Sequence, residues 1–462
     1  MPHLTPETAP LLLTVGLCAL AAVFFGLRQP AVAMIILLGT MFLRLVLPNV
    51  IADPFVLAFA GLLLSFGLWL SLRPGSMPHL GWLEGFMALY LFWNLFSMVA
   101  PHEYAAWYPL SSEKLSVYRF ILTGTAIPFA CYLIGRAIYA TERAVRSLLW
   151  SVFGFAAYSA LVSVLQFSMP SLVWPRYIVN DPLWPGRANG VFNQPVVNGL
   201  VLIAGFVTAL MLIRTSPHVH RLFKCVVAFS ATLMVVGIYL THTRAIWLSF
   251  VVIVIAGIIF GRGVRAGFAI TITVLIVAAI TNWSRLTSSD REAGGVGSTD
   301  EVDDRLNSIA TSLWAAKREP IEGWGIGRFT AVNSLHHQQW SQDVAWDRGL
   351  GISSHFNELG ILVELGAIGL VLWLAILTLL IIRLVRAIRV LPADELVGRN
   401  LGLLAAMLLG TLMVSGFTVD LRFFDFPNAL VYLLVGVAIG AAERVRASTV
   451  KPVLKESALH AR

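Results

Sequence analysis

The sequence has few charged residues. Asp, Glu, Lys and Arg make up 13% of the chain and hydrophobic residues 58%, whereas about a quarter of the residues in a soluble domain are charged. This balance excludes an ordinary water-soluble enzyme. Apolar runs long enough to cross a bilayer as a helix recur along nearly the whole sequence. We therefore predict an all-α polytopic membrane protein.

Cysteine is also scarce. Cys18, Cys131 and Cys225 all fall within apolar runs, where cysteine acts as a small hydrophobic residue rather than as a disulfide partner or metal ligand. The first apolar run is not expected to be a cleaved signal, because no Lys or Arg precedes it and no A-x-A-like site follows it.

The apolar runs predict thirteen membrane spans, or twelve if the first two or the ninth are miscounted. They are residues 10–27, 31–47, 55–72, 82–99, 118–134, 148–169, 197–213, 222–240, 245–260, 264–283, 356–382, 401–417 and 429–442. The chain divides into N-terminal helices (1–189), a membrane core (190–442) that contains a long polar loop (284–354), and a basic tail (443–462).

The distribution of basic residues predicts the orientation. Threading the spans through alternate sides places most Lys and Arg residues on one face, including Arg136, Arg383 and the tail 443–462. By the positive-inside rule this face is cytoplasmic. The loop 284–354 is then extracytoplasmic and the C-terminus cytoplasmic. The net charge of +8 needs no nucleic-acid partner, because this topology and contact with anionic membrane lipids account for it.

The long loop shows internal organisation. Residues 290–304 are rich in Gly, Ser and acidic residues and are predicted to be mobile. Residues 305–316 predict a helix with an apolar face that lies on the membrane, caps a cavity or packs against neighbouring loops. That face holds Leu306, Ile309, Leu313 and Ala316. Residues 320–329 contain three glycines and allow a tight turn, but no βαβ pattern supports a phosphate-binding loop.

Several arginines lie at span ends on the predicted outer side, where positive charge is otherwise uncommon. They are Arg119, Arg187, Arg244 and Arg422. A guanidinium group forms a planar fork that suits two phosphate or carboxylate oxygens. Snorkelling to lipid headgroups explains any one of them taken alone, and we interpret Arg44 in that way or as structural. Two or three that converge would form a site for a lipid diphosphate.

A histidine stands where the long loop re-enters the membrane. His355 follows Ser354 and precedes an apolar run that begins at Phe356. An imidazole with an unperturbed pKa near 6.5 suits proton transfer at neutral pH. The alternative is a structural ring that is hydrogen-bonded to a loop carbonyl. His336 and His337 lie beside two glutamines and are expected to be solvated.

Three carboxylates accompany these residues. Glu364 falls within the eleventh predicted span, and an intramembrane carboxylate is by default a functional candidate; pairing with an outer arginine or a place at a cavity rim also explains it. Asp420 and Asp425 flank Arg422 and are interpreted as an outer-turn charge cluster rather than as catalytic acids.

The order of four elements resembles the O-antigen ligase and polymerase superfamily of bacterial envelope glycan enzymes. The elements are Arg187…Gly190-x-Phe192-x-x-Pro195; Thr243-Arg244-x-x-Trp247; Pro320-x-x-Gly323-x-Gly325-x-Gly327-x-Phe329; and His355 with Gly366 and Gly369. The resemblance covers roughly residues 185–384. Two positions depart from it: Phe356 stands where the family commonly has Asn, Ser or Gln, and Thr243 where it often has Ser.

The resemblance implies transfer of a glycan from an undecaprenyl diphosphate carrier to an acceptor hydroxyl, at the periplasmic or exterior face of the bacterial inner membrane. Arg187 and Arg244 are the candidates for holding the diphosphate, and His355 is the candidate base. The candidate substrate-binding residues are Arg305, Arg328, Asn193 and Asn357. No cofactor is expected.

The acceptor distinguishes the alternatives. A ligase transfers the glycan to lipid A-core, and a polymerase transfers it to another carrier-linked repeat of a growing polysaccharide such as an exopolysaccharide. The single large loop that enters a histidine-headed helix favours the ligase. Transfer to protein, as in related O-oligosaccharyltransferases, is a third alternative. A lipid-linked glycan transporter without chemistry is disfavoured, because the sequence shows no internal repeat and its ionisable residues gather at the outer rim.

We predict that the chemistry is independent of metal. No D-x-D motif occurs, and Asp53 and Asp181 are the only outer carboxylates at tempting positions. EDTA should leave the rate of glycan transfer in membrane vesicles unchanged, measured as consumption of carrier-linked glycan. A loss of transfer in EDTA that Mg²⁺ restores would contradict this prediction.

Overall fold

A computed structural model describes residues 29–47, 53–108, 113–215, 220–289, 300–393 and 395–460. In these ranges the regular structure is helical, and β pairing is limited to one isolated bridge between Trp107 and Lys114. The first predicted span, residues 10–27, lies outside the described residues.

Fourteen helices are labelled here in chain order. They are α1 (Pro30–Phe42), α2 (Pro54–Leu72), α3 (Trp82–Val99), α4 (Val117–Ile138), α5 (Glu142–Ser168), α6 (Pro195–Thr215), α7 (Arg221–Leu240), α8 (Arg244–Phe260), α9 (Arg265–Thr281), α10 (Asp300–Arg318), α11 (Phe329–Leu335), α12 (Asn357–Val390), α13 (Arg399–Gly416) and α14 (Asp425–His460). A π-helical turn, Leu122–Ala126, lies within α4. Short helical turns follow Met169, Arg176, Asn189, Asn282 and Asp420.

The predicted membrane architecture is confirmed for the described residues. Nine of their helices are long and apolar enough to cross a membrane, and three shorter apolar helices, α1, α8 and α9, coincide with further predicted spans. Every predicted span except the first therefore corresponds to a helix. This pattern is expected in lipid, where each backbone polar group must be satisfied within its own segment.

Two helices form the centre of the bundle. Helices α6 and α14 are buried along most of their length, and α14 packs closely along α4. Small residues permit this approach: Gly436 and Gly440 on α14 face the backbone of Tyr132 and Arg136 on α4. Helix α9 lies at the periphery against α8, and Phe268 is its buried residue.

An ion cluster marks one end of the bundle. Glu84 lies 2.8 Å from Arg136 and 2.5 Å from Arg383, and Arg136 also pairs with Glu443 at 2.6 Å. The sequence predicted that Arg136, Arg383 and the start of the basic tail lie on the same side of the membrane. In the structure Arg136, Arg383 and Glu443 lie together. That this face is cytoplasmic stays a prediction.

Helix α12 is broken at Gly366, which has φ 65° and ψ −168°. Four of the backbone groups at the break have partners in other segments. The carbonyls of Val363 and Glu364 accept the N–H groups of Trp324 (2.8 Å) and Gly325 (2.9 Å), and Leu365 accepts the indole N–H of Trp93 (2.9 Å). The N–H of Ala367 donates to Pro320. The glycine-rich turn 320–329 therefore closes a helix break.

We predict that Gly366→Ala destabilises the protein. A Cβ atom at this position would lie 2.0 Å from the carbonyl oxygen of Ile321, and the positive φ adds backbone strain, so the loss should be about 2 kcal/mol or more. Gly154→Ala on α5 is the matched control, because no atom lies within 4 Å of its added Cβ. Thermal melting of the detergent-solubilised variants measures both, and equal melting temperatures would contradict the prediction.

Candidate active site

Helix α10 packs with its polar side. The helix predicted for 305–316 is confirmed, but it begins at Asp300, so the last residues of the segment predicted to be mobile are helical. Its buried residues are Asn307, Ser308, Thr311, Ser312 and Ala315. On the predicted apolar face, Leu313 is 46% exposed, and Val302 extends that face at 39%. The sequence left three alternatives for this face: contact with the membrane, capping of a cavity, and packing against neighbouring loops. The exposure of Leu313 contradicts the third alternative at this position.

The polar face of α10 binds the backbone of the loop that leads to His355. The Asn307 amide donates to the carbonyls of Ala345 (2.9 Å) and Arg348 (3.0 Å) and accepts the N–H of Trp340 (2.8 Å). The Thr311 hydroxyl accepts the N–H of Gln338 at 3.0 Å. A loop has no repeating backbone partners of its own, so these side chains satisfy groups that would otherwise be orphaned.

One stripe of α10 connects the sequence motifs. Glu301, Arg305 and Ser308 follow the i, i+4, i+7 spacing that places side chains on one helical face. Glu301 pairs with Arg187 at 2.9 Å, and the Ser308 hydroxyl lies 3.5 Å from the backbone nitrogen of His355. Arg305 lies between them and makes no hydrogen bond or ion pair with the part of the chain that the structure describes.

The segment that carries Arg187 is fixed against the turn that carries Arg244. The N–H of Ala188 donates to Leu240 at 2.8 Å, and Nδ1 of the buried His242 ring lies 2.8 Å from the carbonyl oxygen of Gly186. Because a carbonyl can only accept, this ring nitrogen carries the proton. The two arginine-bearing motifs therefore form one rigid unit.

Gln166 on α5 also holds the segment that carries Arg187. Its amide donates to the carbonyl of Arg187 at 2.8 Å and accepts the N–H of Asn189 at 3.2 Å. The guanidinium of Arg187 lies over the Trp184 ring, 5.2 Å from its centroid. Both the backbone and the side chain of Arg187 therefore have contacts that hold this residue in position.

The charges of Arg187 and Arg244 act on Arg305. Burial lowers the pKa of Arg305, and the charges of Arg244 and Arg187 lower it further, against the opposing effect of Asp304. Burial also lowers the pKa of Arg187. Like charges held together in a partly desolvated place favour binding of an anion that neutralises them.

His355 lies beside this group. Burial and the positive charge of Arg305 lower the pKa of its imidazole to about 4, although a hydrogen bond to the backbone of Thr418 opposes the shift. The Ser354 hydroxyl fixes the preceding turn through the N–H (3.2 Å) and carbonyl (2.6 Å) of Phe356. The hydrogen bonds of this turn use only the backbone of Phe356, so they do not depend on the side chain at the departing position.

A buried ion triad underlies the site. Arg422 lies 2.6 Å from Glu364 and 2.6 Å from Asp420, and all three side chains are almost completely buried. Burial would lower the pKa of Arg422, but the two carboxylates raise it above its usual value. The pairing of Glu364 with Arg422 is one of the alternatives that the sequence left open. A Cβ at Gly360 would approach Arg422 to 2.9 Å, which places the triad against the first turns of α12.

The other outer cations have carboxylate partners. Arg119 pairs with Asp53 at 2.5 Å, and Arg44 pairs with Asp425 at 2.6 Å. These pairs are structural rather than snorkelling contacts. The pair with Arg119 contains Asp53, one of the two carboxylates that the sequence analysis named as candidate metal positions.

The structure does not place the remaining predicted residues with the converging arginines. Arg328 donates to the carbonyls of Tyr104 and Ile326, both at 2.8 Å. Asn193, at φ 50°, bonds the backbone of Leu183 and Asp181. Asn357 is buried at the first turn of α12, and its amide contacts Glu358 at 3.4 Å. Their roles in substrate binding stay predictions.

Sequence reasoning missed several positioning residues, namely Gln166, His242, Glu301, Ser308 and Thr418. His242 lies within the Thr243-Arg244 element, so its position was a usable signal. Thr418 acts through its backbone, which leaves no trace in the choice of side chain.

Comparison with known proteins agrees with this arrangement. Residues 229–374 match a family model described as O-antigen ligase. The match includes Arg244, Arg305 and His355, whereas Arg187 precedes it. No curated protein matches the chain. The fold defines an all-α polytopic membrane protein, and residues 229–374 are similar to the O-antigen ligase family.

We predict that the pKa of His355 depends on Arg305. Diethyl pyrocarbonate modifies the neutral imidazole, so modification of His355, followed by mass spectrometry between pH 4 and 7, should persist in the wild type down to a midpoint near 4. Arg305→Gln removes a nearby positive charge and should move the midpoint upward. Arg318→Gln, at the far end of α10, is the control. A midpoint that Arg305→Gln leaves unchanged would contradict the electrostatic coupling.

Proposed function

We propose that the protein is an O-antigen ligase-type glycosyltransferase. It would move a glycan from an undecaprenyl diphosphate carrier to a hydroxyl of lipid A-core at the outer face of the cytoplasmic membrane. The observation that carries this proposal is the convergence of Arg187, Arg244 and Arg305 beside His355. The similarity to the O-antigen ligase family supports the chemistry, and the geometry supports the assignment of roles.

The leaving group determines what the arginines do. When the glycosidic bond to the diphosphate breaks, its electron pair passes to a phosphate oxygen and negative charge develops there. Cations held in place before the reaction stabilise this charge without reorganisation. Arg187 and Arg244 are fixed by the contacts of Gly186, Ala188 and Gln166. Arg305, without a partner in the described chain, completes the set.

His355 takes the proton of the acceptor. When the ring is neutral, one of its two nitrogens carries no proton and can accept a hydrogen bond. In the proposed step the acceptor oxygen forms a bond to the anomeric carbon as its proton passes to His355. The carbon–oxygen bond to the diphosphate breaks, and the diphosphate leaves with the electron pair. The residues supply all charges of this step without a metal.

Binding of the carrier requires the exchange of one contact. Arg187 is paired with Glu301 at 2.9 Å, and a diphosphate at this position would compete with that carboxylate. A polymerase would use the same leaving-group site with a carrier-linked repeat as acceptor. The single outer loop that leads into α12 favours the ligase, and the cellular phenotype distinguishes the two.

We predict that His355→Ala and Arg244→Lys both fail to complement a deletion of the gene. Loss of a base should lower transfer about 10²–10⁴-fold. Lys keeps the charge of Arg244 but loses the two-pronged contact, which should lower transfer about 10²-fold. Surface glycolipids and exopolysaccharide separated on a gel provide the measurement. Full complementation by either variant would overturn its assigned role.

His220→Ala, at an exposed position before α7, is the control and should complement fully. In the deletion strain, core without long glycan, together with polymer on the carrier, identifies a ligase. Single repeats on the core, or no secreted polymer, identify a polymerase and would overturn the choice of acceptor.

A further inference from the structure

An aromatic cluster lies on the outer loop, apart from the arginines. It consists of Tyr104, Trp314, Trp324 and His336. Trp314 stacks on His336 with centroids 4.9 Å apart and on Trp324 at 5.9 Å, and Tyr104 stacks on Trp324 at 5.9 Å. The Tyr104 hydroxyl lies 2.8 Å from Nε2 of His336. The loop that follows α3 and three positions between α10 and the end of α11 therefore present their rings together.

The cluster rests on a small core and leaves part of each ring in contact with solvent. Beneath it, Ala315, Phe329, Val332 and Val363 form a buried group separate from the main core. All four rings are only partly buried. The indole N–H of Trp324 donates to Ala315 at 2.9 Å, whereas that of Trp314 has no partner in the described ranges. The cluster thus offers ring surface and one unused donor.

Charged side chains surround these rings. Glu103, Arg318 and Glu322 are exposed. Arg318 lies over the Trp314 ring, 5.4 Å from its centroid, and the Glu103 carboxylate accepts the Tyr104 hydroxyl at 2.6 Å. A surface that faces hydrocarbon would not carry these charges, because each would have to be desolvated. A stable protein partner needs an interface of about 1,000 Å² or more. The aromatic surface here consists of four side chains, which is too small for such an interface.

Two further exposed indoles lie on the same loop. Trp346 is 54% exposed, and its ring lies 5.3 Å from that of His337, which is buried although the sequence predicted it to be solvated. Trp340 is 48% exposed, and its backbone is bound by Asn307 on α10. The polar face of α10 thus holds the backbone of the segment that carries these two exposed indoles.

The position of the cluster relative to the arginines follows from α10. Arg305 and Trp314 are nine residues apart on this helix, which is roughly 13 Å along its axis and half a turn around it. The two groups therefore flank the buried face of α10 from opposite sides. A ligand at the cluster would leave the arginines accessible to a diphosphate.

We propose that the aromatic cluster binds sugar rings of the glycan chain. The carbon-bound hydrogens of a pyranose ring carry slight positive charge and pack on the negative face of an aromatic ring, while its hydroxyl groups can bond to Glu103, Arg318 and the Trp314 indole. Aromatic faces with a few polar groups are the usual composition of such sites. The inference rests on the proposed function, which brings a glycan to this face, and the sugar rings belong to the donor or the acceptor.

Glycan binding without transfer tests the site. The probe is oligosaccharide released by mild acid from the cell's own surface polysaccharide, titrated against the full chain in detergent with saturation-transfer NMR. Trp314→Leu removes the ring but keeps apolar bulk, and should weaken binding roughly 3- to 10-fold. Trp82→Leu, an exposed indole at the opposite end of the bundle, is the matched control. Trp314→Phe keeps an aromatic face and should retain most of the binding.

The outcomes are separable from those of the proposed function. Arg244→Lys should bind the oligosaccharide like the wild type while it fails in transfer, because the cluster does not include the arginines. Wild-type binding without transfer from any donor would leave the site in place and overturn the function. Absent wild-type binding, or equal binding by Trp314→Leu with an unchanged melting temperature, would overturn the site.

Transfer assays with glycans of different lengths identify the source of the sugar rings. If the cluster binds the acceptor, Trp314→Leu should raise the KM for long acceptors and leave that for short ones unchanged. If it binds the donor, the same length dependence should appear with the donor. A variant without length dependence on either side would contradict a role in transfer.

Discussion

The carboxylate of Glu364 connects the segments around His355 and the glycine-rich turn. One oxygen accepts the backbone N–H of Phe329 at 3.0 Å, and the other accepts the guanidinium of Arg422 at 2.6 Å. The first contact fixes the end of the glycine-rich turn in the break of α12. The second fixes the link between α13 and α14, from which Thr418 reaches His355. Loss of Arg422 would leave the carboxylates of Glu364 and Asp420 buried without their counter-charge, which typically costs about 3–5 kcal/mol.

Hydropathy predicted the membrane helices well, because lipid leaves the backbone few alternatives to a helix. The boundaries shifted where charged residues belong to a helix end: α8 begins at Arg244, and α12 continues to Val390 beyond its apolar part. The break at Gly366 was not predicted. Its cause is the pairing of two backbones distant in sequence, and glycine alone does not reveal which carbonyl lies opposite.

The sequence did not predict which face of α10 is buried, and the reason again lies in a backbone partner from another segment. An apolar stripe identifies an amphipathic helix, but it identifies the packing face only when the neighbour is apolar. Here the neighbour is the backbone of a loop, which requires hydrogen bonds, so Asn307 and Thr311 face inward and Leu313 faces outward. The grouping of Arg187, Arg244 and Arg305 with His355 followed from the family resemblance. The contacts that fix them, through Gln166 and the backbone of Thr418, could not be derived from it.

The proximity of Arg305 and His355 couples two binding events. Whatever neutralises the guanidinium raises the affinity of the imidazole for a proton, and by linkage the protonated imidazole favours the anion equally. In the proposed reaction the base would therefore be weak in the empty enzyme and would strengthen as the carrier's diphosphate arrives. Water that enters the empty site would meet a poor base. A single cation would thus both recognise the donor and set the moment at which a hydroxyl is activated.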